Sequence, residues 1–499
     1  INEIDAGCTC APGELVDCYD GPTGTDGVGI CHGGQKMCEP GGESFTVCFG
    51  QVVPLIEECA SPLDESCDGS PNGGCPFWGL RFGDETTNDY AWGLAVLGDG
   101  TSVLVGEAIG PMDLGGNTLG ANGATDVIIG KIDGTGAHLW SARYGDANDS
   151  WANDVAVDGA GNMVLVGAFD GTLDFGGLST PLVAVGTWDG FVAKISAAGV
   201  AQWAVPLGDA GTTRPLAIDV DAAGNAAITG YFNGTLTLTG QASSSDDDGF
   251  VARLDPSGTI TWGTTFGGSG IDHGNDVAFE SGNLIVGGVF DETIDFGGQA
   301  QTDEGEQDGF VAKLNGSNVQ QWIVPIGSTG TQEVHEVAID GTNVVVLGLG
   351  NGTVNIAGQE TFADLDDVFV IKLDSGGSLL WKHHFIGPED QQPGGLAVDG
   401  QGSLWFGVSQ EATADYGGGV VMSAGSDDWV LVKLELTAGD HLRSLRFGDT
   451  DDQDPRALAT DSQGNLVVTG DCQHGIDFGF GVLAGSSTYE DICIARLPL

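Results

Sequence analysis

The sequence predicts an all-β chain. A seven-bladed β-propeller of four-stranded blades, residues 77–499, is expected behind a loop-rich, disulfide-stapled module, residues 1–76. Three observations carry that expectation. First, the stretch Trp78-Gly79-Leu80-Arg81-Phe82-Gly83 has six relatives, whose closing glycines are Gly145, Gly208, Gly267, Gly327, Gly387 and Gly448. Steps of 59–63 residues between them mark a repeat, which is settled before domains are counted. Second, each later relative follows three strand-like segments, whereas Trp78–Gly83 follows only a cysteine-rich stretch. The last three segments run out at Leu499 with no such strand after them, so the two ends are expected to share one sheet and close a ring. Third, Gly 86 is far above ordinary usage without a Gly-X-Y period. These glycines sit at turns between short Val/Ile/Leu/Phe runs, an all-β habit.

Each repeat reads as four strands. The first carries an alanine in an alternating run: Ala95, Ala156, Ala217, Ala278, Ala338, Ala397 and Ala459. A small residue suits a strand beside the axis, where blades crowd. A tight turn follows, often Gly-Asn as at Gly161-Asn162 and Gly224-Asn225, and then an apolar second strand. A long connection comes next, often with Asp-Phe-Gly-Gly (Asp174–Gly177, Asp295–Gly298). The third strand starts at an aspartate and reaches a basic residue five positions on. These pairs are Asp126/Lys131, Asp189/Lys194, Asp248/Arg253, Asp308/Lys313, Asp367/Lys372, Asp428/Lys433 and Asp491/Arg496. Residues five apart on a strand face opposite ways, so the partners are expected in adjacent strands or blades, in a structural role. The outer strand brings a tryptophan, suited to the widening gap between blades. In the sixth repeat Arg443 replaces it.

The charge balance narrows function. Lys+Arg 15 against Asp+Glu 71 gives −56. Nucleic-acid binding needs a positive surface, so it is set aside. Such a surface attracts cations and basic partners, and calcium, which takes oxygen ligands, would suit it. No apolar run is long enough for a membrane span, so no membrane insertion is expected. Nine of the 11 cysteines lie in residues 8–75, without a Cys-x-x-Cys, and Cys472 and Cys493 lie in neighbouring strands of the last repeat. Disulfides in an oxidising compartment are the expectation. Nine is odd, which leaves one cysteine for a partner outside its segment.

Strand alternation puts the long connection and the outer-to-inner connection on one face, which also carries most of the acid. Asp449, Asp451, Asp452 and Asp454 form its best candidate calcium cluster, though without EF-hand spacing. Asp64, Glu65 and Asp68 of the first module could ligate calcium together. No Gly-x-Ser-x-Gly, His-Glu-x-x-His or phosphate loop occurs, so no catalytic residue is expected.

Two resemblances refine this. Cys18-Tyr19-Asp20-Gly21-Pro22, Cys48-Phe49-Gly50-Gln51-Val52-Val53-Pro54 and Cys67-Asp68-Gly69 resemble the cysteine-rich MopE-type metal-binding modules of secreted myxobacterial proteins. The repeat over residues 78–499 resembles the seven-bladed propeller repeat (SBBP) of secreted bacterial proteins. The Gly-x-x-x-Trp element (Gly136…Trp140, Gly377…Trp381) is also similar to the tryptophan-docking repeat of quinoprotein propellers, where it is structural. Together these imply an extracellular or cell-surface, non-enzymatic binding or structural protein, a subunit of a fibre, sheath or coat, or an adhesion module. The expected partners are protein, including self-assembly through the N-terminal module, or glycan. The alternatives are a calcium-dependent glycan- or protein-binding propeller, and a hydrolase or lyase acting at the acidic face.

Overall fold

The computed structural model describes residues 10–20, 24–28, 30–41, 44–54, 77–84, 86–356, 358–486 and 488–497. It divides into two units. In the N-terminal unit Leu15–Cys18 pairs antiparallel with Gly34–Met37. Disulfides Cys10–Cys38 and Cys18–Cys48 tie this ribbon, and Cys31 is also disulfide-bonded. A segment so poor in apolar residues depends on such crosslinks.

The second unit is a succession of antiparallel sheets. Asp89–Val96, Ser102–Ala108, Asp126–Ile132 and His138–Tyr144 form one. Ser150–Val157, Met163–Phe169, Asp189–Ile195 and Ala201–Leu207 form the next, followed by Gly211–Val220, Ala226–Thr237, Gln241–Leu254 and Ile260–Phe266. Two further sets of four, beginning at His273–Glu280 and Gln332–Asp340, run together into one eight-stranded sheet through the pair Ile326↔Ile356. Gln391–Val398, Ser403–Gln410, Asp428–Glu435 and His441–Phe447 come next. The last sheet takes Gln453–Thr460, Leu466–Cys472 and Asp491–Leu497, and its outer strand is Trp78–Phe82. Each inner strand packs on the following one, and Gln453–Thr460 packs back on Asp89–Val96. Four-stranded sheets repeated about an axis make a β-propeller. Second and third strands are buried along their length, as in Met163–Phe169 and Asp189–Ile195, so the core lies between sheets.

The repeat signature resolves into ties between sheets. The indole N–H of Trp140 donates to Ala197 O (3.1 Å), that of Trp322 to Ser375 O (3.0 Å) and that of Trp381 to Leu436 O (3.0 Å), each in the turn of the next sheet. The basic residue of the third strand reaches the same oxygen: Lys131 at 3.2 Å, Lys313 at 3.4 Å and Lys372 at 2.7 Å. It also pairs with the acid that ends the inner strand of its own sheet, as in Lys194–Asp158 (2.9 Å), Lys313–Glu280 (2.8 Å) and Lys372–Asp340 (2.6 Å). The turn accepts the indole because it carries a left-handed glycine. A Cβ on Gly258, at φ +86, would lie 2.7 Å from the Trp203 ring.

The aspartate that begins the third strand works at the opposite end. Asp126 receives Arg143 Nε at 2.6 Å and Asn122 N at 2.9 Å, and Asp491 receives Arg81 Nε at 2.8 Å. The aspartate and the basic residue of each pair therefore never meet, and both tie strands together. Cys472 and Cys493 form a disulfide between adjacent strands of the last sheet.

The long connections are mostly hairpins, and one sequence expectation is corrected. In the third and fifth repeats, where Asp-Phe-Gly-Gly is lost, the two strands simply continue as a ribbon, Thr235↔Ser243 and Val354↔Thr361. Elsewhere the motif's aspartate makes a tight turn, Asp295 Oδ1 accepting Gly297 N and Gly298 N. The alanine of the third repeat is misplaced by two positions. Ala95 opposes Val103 and Ala156 opposes Val164, but the residue in that register is Asp219, opposite Ala227. Its carboxylate accepts Phe279 N (2.7 Å) from the next inner strand, which replaces the missing apolar contact.

Candidate ligand-binding site at the axial mouth

Nearly every inner strand carries a β-bulge at one level: between Ala91 and Gly93, Ala152 and Asp154, Pro215 and Ala217, Gly274 and Asp276, Val334 and Glu336, and Pro455 and Ala457. Bulges re-aim side chains. The residue after the bulge lines a narrow axial cavity of about 130 Å³, where Asp154, Asp276 and Glu336 stand among Ala217, Gly395 and Ala457. These carboxyls are also struts. Asp154 accepts Ile218 N (2.8 Å) and Asp276 accepts Val337 N (2.7 Å), each from the neighbouring inner strand. Burial pushes Asp154 up to about 8, against the backbone N–H groups it accepts. Burial also raises Glu336, with the adjacent Asp276 charge adding to it.

Above this cavity, on the face of the long connections, the starts of the inner strands and the ends of the second strands form a polar, aromatic mouth. Tyr90 and Trp92 stack at 5.1 Å. Trp151 and Trp188 meet at 4.7 Å, and the Arg214 guanidinium lies over both, 4.9 and 5.7 Å from their ring centres. Tyr231 stacks on His273 at 4.0 Å. Arg456 lies over Trp92 at 5.1 Å while Asp471 holds its Nε at 2.6 Å. A pocket of about 370 Å³ opens here between Trp92, Glu107, Trp151, Asn153 and Arg214. Burial raises the Glu107 carboxyl, while the Trp92 indole N–H and the Arg214 charge act to lower it.

The sequence-predicted ligands fare differently. Asp449 and Asp451 converge with His474, whose Nδ1 lies 2.8 Å from Asp449 and 3.5 Å from Asp451. Asp454 turns away to Ser409 Oγ and Arg456, and Asp452 is not part of the cluster. A nitrogen with two carboxylates suits a transition ion better than calcium, which prefers oxygen alone. Many acids of this face are turn formers: Asp84 caps Thr86 and Thr87, and Asp146 holds Asn148 N and Thr172 N. Asp64, Glu65 and Asp68 lie outside the described residues. The mouth itself was missed from sequence. Its signal was present in the aromatic and polar residues just before the inner-strand alanine, Tyr90 and Trp92, Trp151 and Asn153, in a strand otherwise small and apolar.

No protein-family model matches the chain, so the resemblances to SBBP and MopE-type modules rest on the residues quoted for them. The uncharacterized WD repeat-containing protein L264 of Acanthamoeba polyphaga mimivirus is 23% identical over 364 residues, 57% of this chain and 26% of that protein. The chain thus spans about a quarter of that relative's length. Among solved structures, the Pan2 WD40 domain of Neurospora crassa superposes with TM-score 0.42 at 10% identity, over 82% of this chain and 90% of that one. YCF48 bound to D1 peptide gives 0.41 at 11%, over 85% and 96%. Quinohemoprotein alcohol dehydrogenase from Comamonas testosteroni gives 0.39 at 11%, over 84% and 76%. With identities this low, none of these likenesses transfers a ligand, partner or activity.

Proposed function

We propose that the chain is a secreted, non-enzymatic binding protein, a seven-bladed propeller that receives an extracellular protein or glycan at its axial mouth. The blade count is supported by the cyclic succession of inner strands and by the outer strand Trp78–Phe82 that completes the last sheet. Secretion is supported by the disulfides, which persist in oxidising compartments. No helix among the described residues is long and apolar enough to cross a membrane. The observation that carries the binding reading is the stack of Trp151, Trp188 and Arg214. Rigid aromatic and arginine side chains held in place before a partner arrives are the usual anchors of recognition. The test uses labelled native protein on intact cells and extracellular matrix of the source culture. A Trp151→Ala/Arg214→Gln double variant that still unfolds cooperatively should lose retention, and equal retention would overturn the reading. Turnover of a matrix polysaccharide would replace it with a hydrolase or lyase.

A second reading is assembly through the N-terminal module, favoured by its odd cysteine count of nine. Non-reducing electrophoresis of native material should then give a ladder that reductant collapses. A divalent ion belongs to the same proposal, with Asp449, Asp451 and His474 as donors. Added zinc, not calcium, should raise the melting temperature, and no shift with either removes the ion.

A further inference from the structure

Arg214 stands apart from most other arginines of the propeller. Arg143 holds Asp126 at 2.6 Å, Arg456 holds Asp471 at 2.6 Å and Arg446 holds Asp428 at 2.6 Å. In a chain with 71 acidic residues, Arg214 forms no ion pair among the described residues, and its buried Nε has no hydrogen-bond partner. Its guanidinium is held instead by the faces of Trp151 and Trp188 and stands beside the Tyr231 hydroxyl. The two indoles, tilted 58° to each other, hem the guanidinium in, and its unpartnered nitrogen is a donor suited to a planar oxyanion, which arginine recognises as a carboxylate.

The rest of the pocket selects what carries that carboxylate. Trp151 offers indole surface beside Trp92, whose ring already carries Tyr90 and Arg456, while Asn153 and Glu107 bring an amide and a carboxyl to the same space. A pyranose has an apolar C–H face that lies on an indole and a rim of hydroxyls that exchange hydrogen bonds with amides and carboxyls. A volume of about 370 Å³ lies within the range of small-molecule pockets. We propose that the Trp92–Trp151–Arg214 pocket binds a saccharide bearing a carboxylate, a uronic-acid unit, with Arg214 on the carboxylate and the Trp151 indole under the ring. This rests on the mouth being the binding face. It also implies short ligands or chain ends, because a long polyanion would meet a net charge of −56.

The experiment titrates full-length protein with digalacturonate, following tryptophan fluorescence, with the neutral disaccharide maltose in parallel. Digalacturonate should quench saturably and bind about tenfold or more tighter than maltose, a difference that Arg214→Gln removes. Arg214→Lys keeps the charge without the fork and should recover only part of the affinity. Should either variant fold poorly by near-UV dichroism, Asn153→Ala and Trp92→Phe in the same titration should each weaken binding. Equal affinity for the two sugars, no saturation with digalacturonate, or an unchanged Arg214→Gln affinity would overturn the proposal. If native protein is retained on cells through the mouth but digalacturonate does not compete, only the sugar assignment falls. An acidic peptide that competes where the sugar does not would take its place.

Discussion

Arg496, in the last strand, donates through Nη1 to the carbonyl of Gly134 in the first sheet, 2.7 Å away and 362 residues back along the chain. Its other nitrogen holds Asp461 at 2.5 Å. It thus makes across the closure the tie that Lys313 and Lys372 make between consecutive sheets.

Replacing Arg496 by Met should therefore destabilise the propeller strongly. Asp461 would lose its cation while remaining almost fully shielded, which typically costs about 3–5 kcal/mol. Urea unfolding of Arg496→Met beside Asp461→Asn/Arg496→Met checks this. The double variant should recover part of the loss, because no charge is then stranded.

Trp322→Phe should cost about 1 kcal/mol, the net worth of its hydrogen bond to Ser375 O. Trp322→Ala should cost several times more, because the gap between sheets loses its filling ring as well. A thermal unfolding series measures both, and a Phe variant as damaging as the Ala variant would refute the division.

The Cys472–Cys493 disulfide spans 21 residues. Cys472→Ser/Cys493→Ser should lower stability by about 2–4 kcal/mol, and reductant should have the same effect on native protein. Denaturant melts with and without dithiothreitol decide it.

Stability should fall as pH rises from about 4 to 8. Burial raises Asp154 to about 8, Asp89, Asp272 and Asp471 to about 7, and Asp308 and Asp427 to about 6. Each binds its proton more tightly folded than unfolded, so its contribution is whole below the ordinary carboxylate range and disappears as pH climbs through the folded value. His384, lowered to about 4 by burial, works oppositely between about 6.5 and 4. Asp158, lowered to about 2, contributes fully above the ordinary range and is lost only in strong acid. Six raised carboxyls outweigh one imidazole, which places the maximum near the ordinary carboxylate range, about pH 4. Melting temperature against pH tests this, and Asp154→Asn should flatten the alkaline limb.

The repeat was legible because its marks are backbone requirements. The turn glycines, the tryptophan and the third-strand basic residue answer to fixed hydrogen bonds, and they recur wherever those bonds recur. The acidic axial cavity beneath the mouth was not legible because it breaks the repeat. Asp154 and Glu336 occupy positions held by Gly93 and Ala457 in other sheets, and only the bulge turns them to the axis. A bulge has no residue signature of its own. The misplaced Ala217 has the same origin: alanine stands two residues before the aspartate that takes its register, and spacing alone could not separate them.

Arg81 and Asp491 meet 410 residues apart, and that distance sets an order of events during synthesis. The strand Trp78–Phe82 has no ladder to join until Asp491–Leu497, about 410 residues further along, has been made. Over that interval its unpaired edge is open to capture by any other extended segment, including that of a sister chain. That zipping step must also bridge about 410 residues of chain, and such contacts form slowly. A cell making this protein therefore has to keep that one strand vacant, and the commonest misfolded product should be a dimer in which two chains complete each other's last sheet.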